Sequence, residues 1–144
     1  MTPKSLLGGL FNRTAALSYS PYQTAFDSGR LARAGEQFDV ALAAFERARE
    51  LAHSDFERSA ADQLRAETLI EAGRLEEAGV LIAQIRAAAT GALRVYALIA
   101  ASLLAQAEGR LEEAHSLLDD AQDVARVNAL AGAEGRAACH LADV

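Results

Sequence analysis

The sequence uses one hexapeptide twice, and this repetition constrains the fold more than any other feature. Gly-Arg-Leu-Glu-Glu-Ala occurs at Gly73–Ala78 and again, 36 positions later, at Gly109–Ala114. A looser copy, Gly-Glu-Gln-Phe-Asp-Val-Ala, lies upstream at Gly35–Ala41, 38 positions before Gly73. Self-similarity with a period of roughly 20–50 residues is typical of stacked supersecondary units rather than of one irregular core.

The residues of the hexapeptide predict a turn between two helices. An alanine- and leucine-rich run lies on each side of it. Glycine at the junction suits the left-handed conformation that ends a helix, because it has no Cβ atom. The paired glutamates that follow are favourable near the positive end of the next helix dipole. The leucine before them can contact the helix that follows, and the alanine after them allows antiparallel helices to approach closely. Each copy therefore predicts a helix–turn–helix hairpin.

The 3.6-residue spacing of apolar side chains and the positions of helix breakers predict an all-α fold with seven helices. Proline occurs only at Pro3 and Pro21, and Val and Ile form no alternating run. Pro21 can begin the first helix, and Ser54 or Asp55 is the expected N-cap of the third. The predicted helices span about 21–34, 38–53, 55–72, from after Gly73 to 89, 93–108, 111–128, and from Gly132–Gly135 to Val144.

The small and apolar residues around the turns resemble the tetratricopeptide repeat family, whose unit is a helix–turn–helix of about 34 residues. The second helix of that repeat carries a small residue, an apolar residue four positions later and a small residue three positions after that. The matching triplets here are Ala41, Phe45, Ala48; Ala78, Ile82, Ile85; and Ala114, Leu118, Ala121. The small residue in the middle of the first helix corresponds to Ala66 and Ser102. Longer repeats, no tryptophan and no helix-ending proline mark the chain as a divergent, lengthened member over about residues 21–144.

The resemblance implies a right-handed α-hairpin solenoid of about three tetratricopeptide-like repeats plus terminal helices. It also implies that the first helix of each unit lines a concave surface that holds a segment of a partner protein. When the turn glycines are aligned, the first unit has one extra residue in its turn. Counting back from Gly73 and Gly109 places the following residues of the second and third units on that surface: Gln63, Glu67, Ile70 and Glu71; and Tyr96, Ile99, Leu103 and Gln106. In the first unit, where the extra residue blurs the count, the candidates are Tyr22, Phe26 and Arg30. Because carboxylates and apolar side chains share this face, the expected partner is a peptide or helix with basic and apolar residues.

The charge balance argues against nucleic acid as a partner. The formal net charge is −6 and the pI is near 5.0, whereas a nucleic-acid-binding domain is expected to carry a basic stripe. The same acidity argues against docking on an anionic membrane. The single cysteine, Cys139, excludes an intrachain disulfide framework, and its alanine-rich surroundings indicate a small buried hydrophobe. No cofactor is expected, and a cytoplasmic location is predicted.

Residues 1–20 form a separate N-terminal segment with three open interpretations. Its apolar side chains lie at helical spacing, although two glycines interrupt them. The apolar stretch is too short for a secretory signal or a membrane span. A short helix that caps the open end of the array is one interpretation. The alternatives are a docking segment for another protein and an interfacial membrane anchor through residues 5–17.

Two Glu-x-x-His elements raise the alternative of a di-iron carboxylate bundle. Glu50 and His53 lie near the end of one predicted helix, whereas Glu112 and His115 lie at the start of another. A di-iron site also requires two further inward-facing carboxylates, and none stands out from apolar surroundings. The sequence therefore predicts no metal site, no catalytic residue and no enzymatic activity.

These observations predict a non-catalytic protein–protein interaction module, that is, a scaffold or adaptor. One alternative is a sensor or regulatory segment of a larger signalling or transcription-regulating protein, because lengthened repeats of this kind resemble those of bacterial transcriptional regulators. Another is a structural subunit of a large complex. The last predicted helix either caps the array or belongs to a longer array.

Overall fold

The computed structural model describes residues 20–132 and the side chains of residues 20–129. Within this part the chain forms six α-helices and no strand, which confirms the all-α prediction. The helices are α1 (Pro21–Ala34), α2 (Phe38–Leu51), α3 (Asp55–Glu71), α4 (Leu75–Ala88), α5 (Arg94–Ala107) and α6 (Leu111–Gly132), with a short 3₁₀ turn at Gly91–Leu93.

The predicted helix ends agree with the structure to within two residues, except at the end of α6. This helix runs on to Gly132, four residues beyond the predicted Asn128. Asn128 donates its side-chain amide to the carbonyl of Val124 at 2.8 Å and lies next to Gly91 of the 3₁₀ turn. The helix therefore continues where the sequence suggested a stop. The predicted seventh helix, like Cys139 and the segment 1–19, lies outside the described residues.

Two serines decide where α1 and α3 begin. Ser20 Oγ accepts a hydrogen bond from the backbone N–H of Gln23 at 3.1 Å, directly before Pro21. Ser54 Oγ accepts in the same way from the N–H of Glu57 at 3.1 Å, so Ser54 and not Asp55 is the N-cap of α3. Each bond satisfies a backbone donor that the first helical turn leaves unpaired.

The three turns within the hairpins share one backbone geometry. Gly73 and Gly109 have φ values of 79° and 81°, as predicted for the residue that ends a helix. The next residue in each turn, Arg74 or Arg110, donates its N–H to the carbonyl five residues earlier, at 2.9 and 2.8 Å. Gln37 makes the corresponding bond to Ala32 at 2.8 Å. All three are therefore turns of the Schellman type.

The first turn corrects the alignment by glycines. Gly35 has an ordinary φ of −87°, and Glu36 takes the left-handed position with a φ of 59°. Glu36 is thus the equivalent of Gly73 and Gly109. The first turn contains no extra residue, and the spacing between equivalent positions is 37 and then 36 residues.

Replacing Glu36 with glycine is expected to raise the free energy of unfolding by about 1 kcal/mol, because a residue with a Cβ atom is strained in the left-handed region. Gly73→Ala and Gly109→Ala are expected to lower it by about 1 kcal/mol for the same reason. A Cβ atom at either glycine would meet nothing within 4 Å, so packing contributes little to these two changes. Urea denaturation measures the free energy of unfolding of all three variants, and an unchanged m-value shows that the change is one of stability alone.

Glu36→Ala is the matched control, since it removes the same carboxylate but keeps a Cβ atom at the left-handed position. We expect no stabilisation from it. If alanine stabilised the protein as much as glycine does, the charge of Glu36 and not its backbone conformation would be responsible.

The arginine and glutamate of the hexapeptide also bond to each other. Arg74 lies just before α4 and contacts the Glu77 carboxylate at 2.8 Å, and Arg110 pairs with Glu113 in the same way before α6. Arg74 additionally contacts Asp39 at the start of α2, at 3.0 Å. The repeated turn therefore links its own helix to the helix pair before it, although such exposed pairs contribute little individually.

Each helix packs on the next one along the chain, and α3 also packs on α5. The largest apolar cluster joins α3, α4, α5 and α6, whereas two smaller clusters join α1, α2 and α3. Small residues allow the close approaches: Ala41, Ala78 and Ala114 are 0%, 0% and 7% exposed. Gly29, Ala66 and Ser102 lie at equivalent positions of α1, α3 and α5 and are buried as well.

One position of the repeated triplets differs from its equivalents. Phe45 and Ile82 are 0% and 4% exposed, but Leu118 is 44% exposed, and the neighbouring Leu117 is buried instead. Phe45 is covered partly by Leu64 of the following helix α3. Among the described residues no helix follows α6, so nothing of that kind covers Leu118.

Candidate functional site

The corrected register places nine side chains on one face of α1, α3 and α5. Counted back from Glu36, Gly73 and Gly109, they lie three, six and ten positions before the left-handed residue. Position three holds Arg33, Ile70 and Gln106; position six holds Arg30, Glu67 and Leu103; and position ten holds Phe26, Gln63 and Ile99.

Arg33 is the residue of this set that sequence reasoning missed. Phe26 and Arg30, at positions ten and six, were included, but the turn of the first unit was interpreted as having an extra residue and no residue of α1 was assigned to position three. A usable signal was present in the sequence. Ala41, Ala78 and Ala114 each lie eight positions after the residues at position three, so counting back from these alanines would have found Arg33.

Five of the predicted binding residues line one cleft. Its volume is about 350 Å³, and α1, α3 and α5 all contribute to its wall. The lining residues are Arg33, Glu67, Ile70, Glu71, Leu103, Gln106 and Ala107. A neighbouring cleft of about 750 Å³ shares Arg33 and Glu71 with the first and adds Arg30, Glu36, Phe38 and Leu64. We refer to the two clefts together as the α1–α3–α5 groove.

The Arg33 guanidinium forms the boundary between the two clefts. Its Nε donates to Glu71 Oε1 at 2.8 Å, and its Nη2 donates to Glu67 Oε1 at 3.3 Å. The hydrogen bond to Glu71 is the main cause of a raised pKa for Arg33. Glu67 Oε2 in turn accepts from Gln63 Nε2 at 2.9 Å. One guanidinium thus faces two carboxylates.

The remaining wall of the first cleft is mainly apolar. Ile70 and Leu103 are half-buried, and the α5 residues that line the cleft are Leu103, Gln106 and Ala107, none of them charged. The groove therefore changes in character across the three helices. Its charged side chains are basic on α1 (Arg30 and Arg33) and acidic on α3 and in the first turn (Glu67, Glu71 and Glu36), whereas the lining side chains of α5 are uncharged.

Four predicted residues are engaged mainly in packing. Tyr22 is 5% exposed and donates its hydroxyl to the carbonyl of Glu57 at 3.1 Å. Burial raises the pKa of Tyr22 to about 12. Its ring lies 5.5 Å from that of Phe26, which in turn contacts Phe45 edge-on at 5.8 Å. Tyr96 packs edge-on against Phe56 at 5.5 Å, and Ile99 packs against the core of α3–α6. None of these four residues lines either cleft.

The two Glu-x-x-His elements do not come together in the described structure. Glu50 is in the last turn of α2 with His53 just beyond it, whereas Glu112 and His115 are in the first turns of α6. His115 is exposed and lies 3.6 Å from Asp119 on its own helix. Within residues 20–132 there is no group of three or more His, Cys, Asp and Glu side chains that could hold a metal ion.

None of the helices described is both long enough and apolar enough to cross a membrane. The proposed membrane anchor at residues 5–17 lies outside the described part of the chain.

Comparison with protein families, with curated proteins and with solved structures finds no match to this chain.

Proposed function

We propose that this chain is a non-catalytic protein-interaction module that holds a segment of a partner protein in the α1–α3–α5 groove. In this proposal the helix pairs α1–α2, α3–α4 and α5–α6 are three divergent tetratricopeptide-like repeats stacked as a right-handed solenoid. The support for the repeat assignment is the common turn geometry together with the small buried residues at equivalent positions of all three pairs.

One observation carries the functional proposal. Three first helices, separated along the chain by whole repeats, contribute side chains to a single cleft. A ligand in this cleft contacts all three repeats at once, so a segment several residues long gains more contacts than a small molecule does. Recognition of peptides by arrays of side chains in a groove requires no covalent chemistry.

Ile70→Ala and Leu103→Ala are expected to weaken peptide binding about ten-fold or more each. Removing a half-buried aliphatic side chain at an interface costs on the order of 1.5–3 kcal/mol, and 1.4 kcal/mol corresponds to ten-fold in affinity. The probes are peptides selected from a random displayed library against the unmodified chain, labelled with a fluorophore and measured by anisotropy.

Val80→Ala is the control, because Val80 is 58% exposed on α4 and lies outside the groove. It is expected to leave affinity unchanged, and circular dichroism establishes that all three variants retain their helix content. If the selected peptides bind Ile70→Ala and Leu103→Ala as tightly as the unmodified chain, the groove is not the binding site.

A second candidate function is that of a subunit held permanently in a larger assembly. The observation that favours it is a pair of exposed leucines, Leu111 and Leu118, which are 65% and 44% exposed and lie two helical turns apart on α6. A permanent partner would cover this face. This function predicts that a partner co-purifies from the native source at fixed stoichiometry. Leu118→Asp is expected to abolish this co-purification and Leu103→Ala to leave it intact, which distinguishes this function from groove binding.

A further inference from the structure

We propose that the groove selects an extended segment with three recognition residues in a fixed order: an apolar residue at α5, a basic residue at α3 and an acidic residue at α1. This inference rests on the proposed function and adds the chemistry of the partner to it. At the middle position, the acidic residues of α3 already bond to a cationic side chain of the protein itself, Arg33.

Arg33 shows that the acidic residues of α3 bind a guanidinium group within the protein itself. Its guanidinium contacts Glu71 and Glu67, which lie 38 and 34 residues away in sequence. These two carboxylates carry two negative charges against the one positive charge of Arg33. Glu71 Oε2 has no hydrogen-bond partner among the described residues, and the Glu71 side chain is 42% exposed. A carboxylate has acceptor capacity for several donors, so a second cation from the partner can bond to Glu71 without displacing Arg33.

The apolar position follows from the aliphatic side chains that lie beside these carboxylates on α3 and on α5. Ile70, Leu103 and Ala107 line the same cleft as Glu71 and Arg33. An aliphatic side chain of the partner would cover the half-buried Ile70 and Leu103, whereas a charged one would lose its hydration there without gaining an ion pair.

The acidic position is at the other end of the groove. Arg30 is exposed on α1, lines the larger cleft and forms no ion pair with a described residue. A carboxylate of the partner is therefore the complementary group at α1. Like charges at either position are disfavoured, so the order of charges along the segment and not only their number determines binding.

The spacing of the three residues follows from helix packing. α3 packs on α5, and packed helices lie about 8–10 Å apart, a distance that an extended chain crosses in about three residues. α1 meets α3 through the ion pairs of Arg33, and we assign the same spacing there. The recognition pattern is thus apolar-x-x-basic-x-x-acidic, read in one of the two chain directions.

The test compares labelled synthetic peptides of identical composition in fluorescence anisotropy. One set contains two peptides, which carry Leu, Lys and Glu at this spacing in the forward and in the reverse order along the chain. In the other set, the positions of Lys and Glu are exchanged. We expect one ordered peptide to bind at least about ten-fold more tightly than its exchanged counterpart. In the protein, Glu71→Gln is expected to remove the preference for peptides with Lys over those with norleucine at the middle position. Arg30→Gln is expected to remove the preference for peptides with Glu over those with Gln at the acidic position.

The outcomes separate this inference from the proposed function. If no ordered peptide binds more tightly than its exchanged counterpart, the inference is overturned. The proposed function would still stand if library-selected peptides lose affinity on Leu103→Ala, and it would fall if they do not. Arg47→Gln serves as a charge control, because Arg47 is exposed on α2 outside the groove; it is expected to leave every preference intact.

Discussion

Replacing Phe45 with alanine is expected to lower the free energy of unfolding by about 3–5 kcal/mol, the range for deleting a fully buried aromatic side chain. Phe45 is 0% exposed, and its ring meets Phe26 edge-on at 5.8 Å. It also packs with Ala32 and Ala41 and with Leu64 of α3, so one side chain joins three helices. The cavity left by alanine is bordered by helix backbones that cannot collapse into it. Urea denaturation followed by circular dichroism measures the loss.

Phe56→Ala is the matched control for this prediction. Phe56 is 60% exposed and has an edge-on contact with Tyr96 at 5.5 Å. Its truncation is expected to cost at most about 1.5 kcal/mol, the value of one aromatic pair. A loss of less than 1 kcal/mol for Phe45→Ala, or equal losses for the two variants, would contradict the packing described here.

Gly29→Ala is expected to destabilise the protein by about 1–3 kcal/mol, although alanine is normally the better helix former by about 1 kcal/mol. A Cβ atom at Gly29 would lie 2.6 Å from Cε1 and 2.7 Å from Cδ1 of Phe45. The Phe45 ring is fully buried, and because protein cores are close-packed it has little space into which to move. Overlap with a trapped ring therefore outweighs the gain in helix propensity. The free energy of unfolding in urea is again the measurement.

Gly79→Ala is expected to change the free energy of unfolding in the opposite direction. Gly79 also lies within a helix, but a Cβ atom there would meet Leu104 Cδ2 at an ordinary 3.7 Å, so a stabilisation of up to about 1 kcal/mol is expected. The double variant Gly29→Ala with Phe45→Leu adds a further check. A smaller side chain at position 45 relieves the overlap, so the double variant should be more stable than the sum of the single changes predicts. Strict additivity would show that the two residues do not compete for the same space.

Part of the cleft lining was predictable from the sequence, and the reason lies in two of the turns. Glu67, Ile70, Glu71, Leu103 and Gln106 lie in the predicted place, since Gly73 and Gly109 do have positive φ values and the count from them is in register. On α1, the predicted Phe26 and Arg30 lie ten and six positions before Glu36, in register with the other two units. Tyr22 lies fourteen positions before Glu36 and is buried, whereas Arg33, three positions before it, was omitted.

The sequence by itself determined the six helices and the turns at Gly73 and Gly109. These features depend on caps and hydrogen bonds that join residues at most five positions apart, such as Ser54 with Glu57 or Arg74 with Leu69. Side-chain identity along a short stretch is enough to predict interactions of that range.

Only the tertiary structure decided which faces of the helices meet. The contacts of Gly29 with Phe45 and of Arg33 with Glu71, and the burial of Leu117 in place of Leu118, depend on how each helix is rotated about its axis. That rotation is set by the joint packing of side chains from distant parts of the chain, and no single segment contains the information.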